Sequence, residues 1–136
     1  MERYENLLRN SNIKVTPQRL AIVEELNGHV HMSIEELYKA IKKKFPSISL
    51  ATVYKNINAM MDQGFIQEVK VPGQKSKYEL TKAPHSHIVC ENCGKVEDIA
   101  LDLEKVTRNA ANITRYEIRD KALILSGLCP ACKMAS

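Results

Sequence analysis

Apolar residues recur at helical spacing through the first 63 positions and then switch to strand spacing. Tyr4, Leu7 and Leu8 fall on one side of residues 2–10, which predicts a short amphipathic helix broken at Asn10-Ser11-Asn12. Thr16-Pro17 then pairs an N-cap residue with a first-turn proline. The helix behind it carries Leu20, Ile22, Val23 and Leu26 inward and should end at Asn27-Gly28. Ser33-x-x-Glu36 has the form of a reciprocal capping box and opens a helix with Ile34, Leu37, Tyr38 and Ile41 on its buried side. Its last turn, Lys42-Lys43-Lys44, suits the negative pole of the helix dipole, and Phe45-Pro46 stops it. Ser49 caps a further helix over about 50–63, closed by Gly64. In it Leu50, Val53, Ile57, Met60 and Met61 are spaced to face a core, and Ala51, Thr52, Tyr54, Lys55 and Asn58 lie opposite.

Strand character follows at 65–71 and 77–80, around a turn at Pro72-Gly73. Three helices and then a hairpin is the order of a winged helix-turn-helix, with 50–63 as the recognition helix and the hairpin as the wing. Lys82-Ala83-Pro84 reads as a hinge. Beyond it the pattern predicts strands at 85–90 and 95–100, a helix over about 102–112 using Asp102, Leu103, Val106 and Ala110, and a hairpin-like pair, 113–120 and 122–128. The expected class is α+β: a winged helix over 1–81, a hinge at 82–84, and a small α/β unit over 85–136.

Charge sharpens this division. Residues 1–84 hold 13 Lys and Arg against 9 Asp and Glu, whereas residues 85–136 hold 7 against 7. The whole excess of +4 therefore lies in the first part, which suits a polyanion such as DNA. The second part, 52 residues with few aromatics, is too small to stand easily without a metal or a partner chain. The first residues lack an apolar signal segment and no apolar run is long enough for a membrane span, so a cytoplasmic setting is expected.

All four cysteines lie in two Cys-x-x-Cys pairs, Cys90/Cys93 and Cys129/Cys132. In a reducing compartment, two such pairs suit a tetrahedral all-thiolate zinc site, each pair biting the metal from a turn made by Asn92 and Gly94 or by Pro130. The rival is a redox dithiol, disfavoured because there are two pairs and neither sits in a strand-to-helix turn of a parallel α/β unit. Thirty-five residues separate the pairs, more than the usual ribbon gap, so the fold has to bring them together.

His85 and His87 are one strand period apart and point to one face. With His31, Glu79 and Asp98 they form an imidazole and carboxylate set that suits Fe(II), Mn(II) or Zn(II). A lone histidine is more often a satisfied core residue than a ligand. His29, two residues before His31, is instead read from its loop setting as exposed and idle. Ala51 and Thr52 would let the recognition helix approach the major groove closely, Tyr54 would touch thymine methyls, and Lys55 would reach phosphate or guanine. Lys14 is placed for backbone or the minor groove. The plain alternative is a solvated helix face.

Four stretches together resemble the ferric uptake regulator family of bacterial metal-dependent repressors: Val15-Thr-Pro-Gln-Arg19, Ser49-Leu-Ala-Thr-Val-Tyr54, His85-x-His87-x-x-Cys90-x-x-Cys93-Gly-Lys95 and Gly127-x-Cys129-x-x-Cys132. The resemblance implies a homodimer with an N-terminal winged helix and a C-terminal dimerisation domain. It implies structural zinc on Cys90, Cys93, Cys129 and Cys132, and regulatory Fe(II) or Mn(II) on His31, Glu79, His85, His87 and Asp98. It implies base contact by Tyr54 and minor-groove contact by Lys14, on an AT-rich inverted-repeat operator. Asp98 matches the peroxide-responsive branch, in which His31 or His85 would be oxidised. Glu79 matches iron sensors, so an iron-responsive repressor is the second reading. A zinc hydrolase, a thiol oxidoreductase and a purely structural zinc module are the other classes; no nucleophile motif accompanies the first, and the third leaves the basic helical half unexplained.

Overall fold

The computed structural model describes residues 2–29, 31–82 and 85–135. They form two compact units, Met1–Thr81 and Lys82–Ser136. The expected hinge overlaps residues 83 and 84, which lie outside the described residues; Lys82 is exposed.

The first unit contains helices α1 (Glu2–Asn10), α2 (Pro17–His29), α3 (Ile34–Lys44) and α4 (Leu50–Asp62), and strands β1 (Met32–Ser33), β2 (Ile66–Val69) and β3 (Lys77–Leu80). The strands form an antiparallel sheet in the order β1-β3-β2. Local chemistry sets most of these limits. Thr16 Oγ1 accepts the Arg19 backbone N–H at 3.2 Å and opens α2. Ser33 Oγ accepts from Glu36 N while Glu36 Oε1 accepts from Ser33 N at 3.0 Å, so the capping box forms at α3. Ser49 Oγ accepts from Thr52 N at 3.1 Å to start α4. Gly64, at φ +74°, leaves α4 in a backbone region that a side chain would strain. The core runs through every helix: Leu8, Ile22, Leu26, Leu37, Ile41, Ile57 and Met60 are at most 1% exposed. Each such side chain contributes about 1.5–3 kcal/mol relative to exposure.

Two expectations need correction here, and one element was not expected. α2 runs through Asn27 and Gly28 to His29, because a glycine weakens a helix without ending it when the apolar face continues to pack. β1 had no signal, being two residues recruited by the edge of β3. Leu50 is 40% exposed; Asn56 takes the buried position between Val53 and Ile57.

The second unit contains β4 (Ser86–Cys90), β5 (Val96–Ile99), α5 (Glu104–Thr114), β6 (Ile124–Gly127) and α6 (Pro130–Ala135). The sheet order is β5-β4-β6, with β4 antiparallel to β5 and parallel to β6. The expected hairpin of 113–120 with 122–128 is absent among the described residues. α5 starts later and ends later than expected, continuing through Ile113 to a left-handed Arg115 at φ +65°. The following stretch has no strand partner among the described residues, and β6 pairs with β4 instead. The alternation of residues 113–120 was real, but a strand needs a ladder as well as an alternating sequence. Nor does α5 bury any residue: Val106, one of the apolar positions that predicted the helix, is 67% exposed. No helix among the described residues is long and apolar enough to cross a membrane.

Candidate metal centres and nucleic-acid face

Strand register solves the separation of the two cysteine pairs. Cys90 ends β4 opposite Gly127 of β6, and Cys129 follows two residues later. Gly94, at φ +79°, donates its N–H to the Cys90 carbonyl at 3.0 Å and turns Cys93 back toward Cys90. Pro130 opens α6, which carries Cys132 one helical turn beyond Cys129. The four sulfurs lie within 4.8 Å of one another, and Cys93 Sγ is 4.0 Å from Cys129 Sγ. Tetrahedral zinc with Zn–S bonds of about 2.3 Å sets its sulfurs roughly 3.8 Å apart, so the set suits structural zinc.

Donors around the sulfurs favour thiolate. Cys90 Sγ accepts the N–H groups of Cys129 (3.4 Å) and Cys93 (3.5 Å), which draw its thiol down to about 6. Asn92 Nδ2 donates to Cys132 Sγ at 3.3 Å and pulls that thiol down, but the neighbouring Cys129 and Cys90 outweigh it and push the group up to about 11. Four crowded sulfurs ionise in turn, each against the charge of the last. A dication in their midst removes that repulsion. No disulfide joins them.

The imidazole and carboxylate residues form two clusters, one in each unit. In Met1–Thr81, His31 Nε2 lies 2.8 Å from Glu79 Oε2. Glu79 is 1% exposed, a depth at which a carboxylate needs compensation. Gln67 supplies part of it, its Nε2 donating to Glu79 Oε1 at 2.5 Å. Gln67 was not singled out from the sequence, yet it is the direct cross-strand neighbour of Glu79 once the hairpin is folded about Gly73. In Lys82–Ser136, His85 Nε2 and His87 Nε2 each lie 3.5 Å from Asp98 Oδ1, and their rings meet edge to face at 4.6 Å. His87 and Asp98 are direct partners in the β4–β5 register, so the strand spacing reading holds. Lys82, also missed, pairs with the other Asp98 oxygen. Imidazole with carboxylate is the donor set for Fe(II) or Mn(II) rather than for a thiolate metal. His29 is exposed and sits against Glu25, 3.2 Å from its carbonyl.

On α4, Ala51, Tyr54, Lys55 and Asn58 are exposed while Val53, Asn56, Ile57 and Met60 are buried. The outward face of the helix is therefore the one read from the sequence. Thr52 is half-buried, and its hydroxyl lies 2.9 Å from Ser49 Oγ at the cap. Lys14 is exposed just ahead of α2. Arg19 and Asn56, which carried no expectation, link that loop to α4.

The sequence model of the ferric uptake regulator family matches residues 10–126. The chain belongs to this family. The peroxide operon regulator of Bacillus subtilis (strain 168) is 35% identical over 127 residues, covering 92% of this chain and 88% of that protein. Among solved structures, the Vibrio cholerae ferric uptake regulator superposes with a TM-score of 0.76 at 35% identity, over 93% of this chain and 99% of its own. The Campylobacter jejuni peroxide stress regulator gives 0.74 at 32% identity, over 96% and 97%. Family membership accounts for both donor sets: the four-cysteine cluster suits structural zinc, and the imidazole and carboxylate residues suit a regulatory metal. Proteins of the ferric uptake regulator family are dimeric DNA-binding repressors.

Proposed function

We propose that this protein is a cytoplasmic, homodimeric, metal-dependent transcriptional repressor that senses peroxide. The observation that carries the reading is the pair of half-sets, His31 with Glu79 and His85 with His87 and Asp98, in a family whose peroxide regulator from Bacillus subtilis is 35% identical. In this reading residues 1–81 are the DNA-binding domain and 85–136 the dimerisation domain, with the hinge at 82–84 between them. Its role is regulatory rather than catalytic.

Two ligands on one unit and three on the other are each too few for Fe(II) or Mn(II), which take five or six. Shared, the five would complete one ion and tie the units into a single arrangement. Ligation that is better in that arrangement than in any other shifts the population toward it. A hundredfold change in operator occupancy needs about 2.7 kcal/mol of such preference. Lys14, Ala51, Thr52, Tyr54 and Lys55 of both protomers then meet an AT-rich inverted repeat. Cys90, Cys93, Cys129 and Cys132 hold zinc permanently and keep β4, β6 and α6 together.

Fe(II), if held by these residues, would supply a redox path by which peroxide gives one oxygen atom to an imidazole and leaves as water. His31 and His85 are the imidazoles assigned to take up the oxygen. An imidazole that has gained an oxygen atom would be a poor ligand, and Asp98, Glu79 and His87 alone would hold the ion too weakly to keep the DNA-bound arrangement. In the Fe(II) form, peroxide should add one oxygen mass to a peptide containing His31 or His85 and release the duplex. The Mn(II) form should do neither. Unchanged peptide masses with the Fe(II) form would sink the oxidation step.

Iron sensing is the second reading, favoured by Glu79 and by the 35% identity to the Vibrio cholerae ferric uptake regulator. It predicts repression set by Fe(II) concentration, with no peptide oxidation and no release of the duplex on adding peroxide.

A further inference from the structure

A lysine on a loop and a helix in a groove engage one duplex together only if their spacing is held. Arg19 spans the gap between them. Its Nη1 donates to the carbonyl of Lys14 at 3.0 Å, and its Nε donates to Asn56 Oδ1 at 3.0 Å. The Asn56 amide in turn donates to the Thr52 carbonyl at 3.1 Å. Arg19 is half-buried and Asn56 is 9% exposed. Both acceptors of the guanidinium are neutral, so the side chain is fixed without losing its charge. The backbone of Arg19 is fixed too, through the Thr16 hydroxyl.

We propose that Arg19, braced by Asn56, is a positioning residue for DNA binding: it locks the Lys14 loop to α4, so that lysine and recognition helix meet the duplex as one body. This rests on the DNA-binding reading above. The role needs arginine. Its planar fork reaches two acceptors at fixed angles, whereas an ammonium at the end of a flexible stem reaches one at a time. Ordering the loop before contact spares the entropy of ordering it on contact. Asn56 is buried between Val53 and Ile57, so it acts through Arg19 and Thr52.

The test is a double-mutant cycle on the full-length, zinc-containing, Mn(II)-loaded protein, with a duplex selected from a random pool by the wild type. Lys14→Ala is measured in wild-type, Arg19→Lys and Asn56→Ala backgrounds. In the wild type it should weaken binding by about tenfold, the usual loss for one positioned contact. In either variant background it should cost less than about twofold, because the contact is already lost. Asn56 is too buried to touch DNA, so its agreement with Arg19→Lys separates positioning from direct contact by Arg19. Thermal melts accompany each variant, and Asn56→Ser replaces Asn56→Ala if the latter is unfolded at the assay temperature. Equal Lys14→Ala losses in all backgrounds, or wild-type affinity in Arg19→Lys, overturn the proposal and leave the DNA-binding reading intact. A wild type that selects no duplex overturns both.

Discussion

In Met1–Thr81, Leu8, Ile22, Leu26, Leu37, Ile41, Ile57 and Met60 are buried together, whereas in Lys82–Ser136 the buried residues are Ser86, His87, Val89 and Cys90, among those described. The first unit closes a core with its own side chains. The second leaves Val106, Ile113, Tyr116 and Met134 in solvent and gathers four sulfurs at one end of its sheet. One half of the molecule thus rests on apolar burial, and the other offers a set of metal donors where side-chain packing is thin.

The strongest way to break this contrast is to remove the zinc. Cys93→Ser, or a chelator strong enough to extract the structural ion, should unfold the second unit, since structural zinc contributes about 10–16 kcal/mol of apparent binding free energy in small domains. Backbone amide spectra should lose the signals of 86–135 and keep those of 4–80. Loss of both sets together would show that the units are not independent. Asp98→Ala, which leaves all four cysteines in place, should weaken Mn(II) by about tenfold to hundredfold, by analogy with other ligand-shell losses, and leave zinc content unchanged. Calorimetric titration and metal analysis on one sample read both.

Leu37→Ala then probes the first unit alone. It should cost about 2–5 kcal/mol in denaturant unfolding. Val106→Ser, on the exposed face of α5, should leave monomer stability within about 0.5 kcal/mol and act on the dimerisation equilibrium instead. Sedimentation that shows no change for Val106→Ser removes α5 from the interface. The smallest effect lies at the α3 cap. The Ser33 backbone N–H lowers the Glu36 carboxyl below its ordinary value, with help from Lys77. Stabilisation from a lowered carboxyl is complete above the unfolded value, about 4.3, and disappears as pH falls through the folded value. Glu36→Gln keeps the cap and removes the charge. The stability gap between wild type and Glu36→Gln should therefore be widest near neutrality and shrink on acidification. A gap independent of pH would assign the effect to packing.

What could be read from the sequence divides along the same line. Ser33, Glu36 and Ser49 announce helix starts because a cap is satisfied within four residues. The cysteine spacing announces a metal because the chemistry lies in the residues themselves. That the two pairs must meet is legible, but the route by which they meet is not, since it depends on β6 lying parallel to β4. That pairing also explains why 113–120 is not a strand: β6 pairs with β4, and among the described residues no strand pairs with 113–120. The Arg19–Asn56 bridge, across 37 positions, has no local signature. Gln67 had one, in the symmetry of the hairpin about Gly73, and was overlooked.

The parallel ladder has a consequence for the order of events at the ribosome. Cys90 and Cys93 emerge long before β6, which must be laid beside β4 to bring up Cys129 and Cys132. The helical unit, made first and self-sufficient, has time to fold while the nascent thiols wait with half a coordination sphere. A chain interrupted after α5 would carry the helical unit and Cys90 with Cys93, but not the two sulfurs that complete the set.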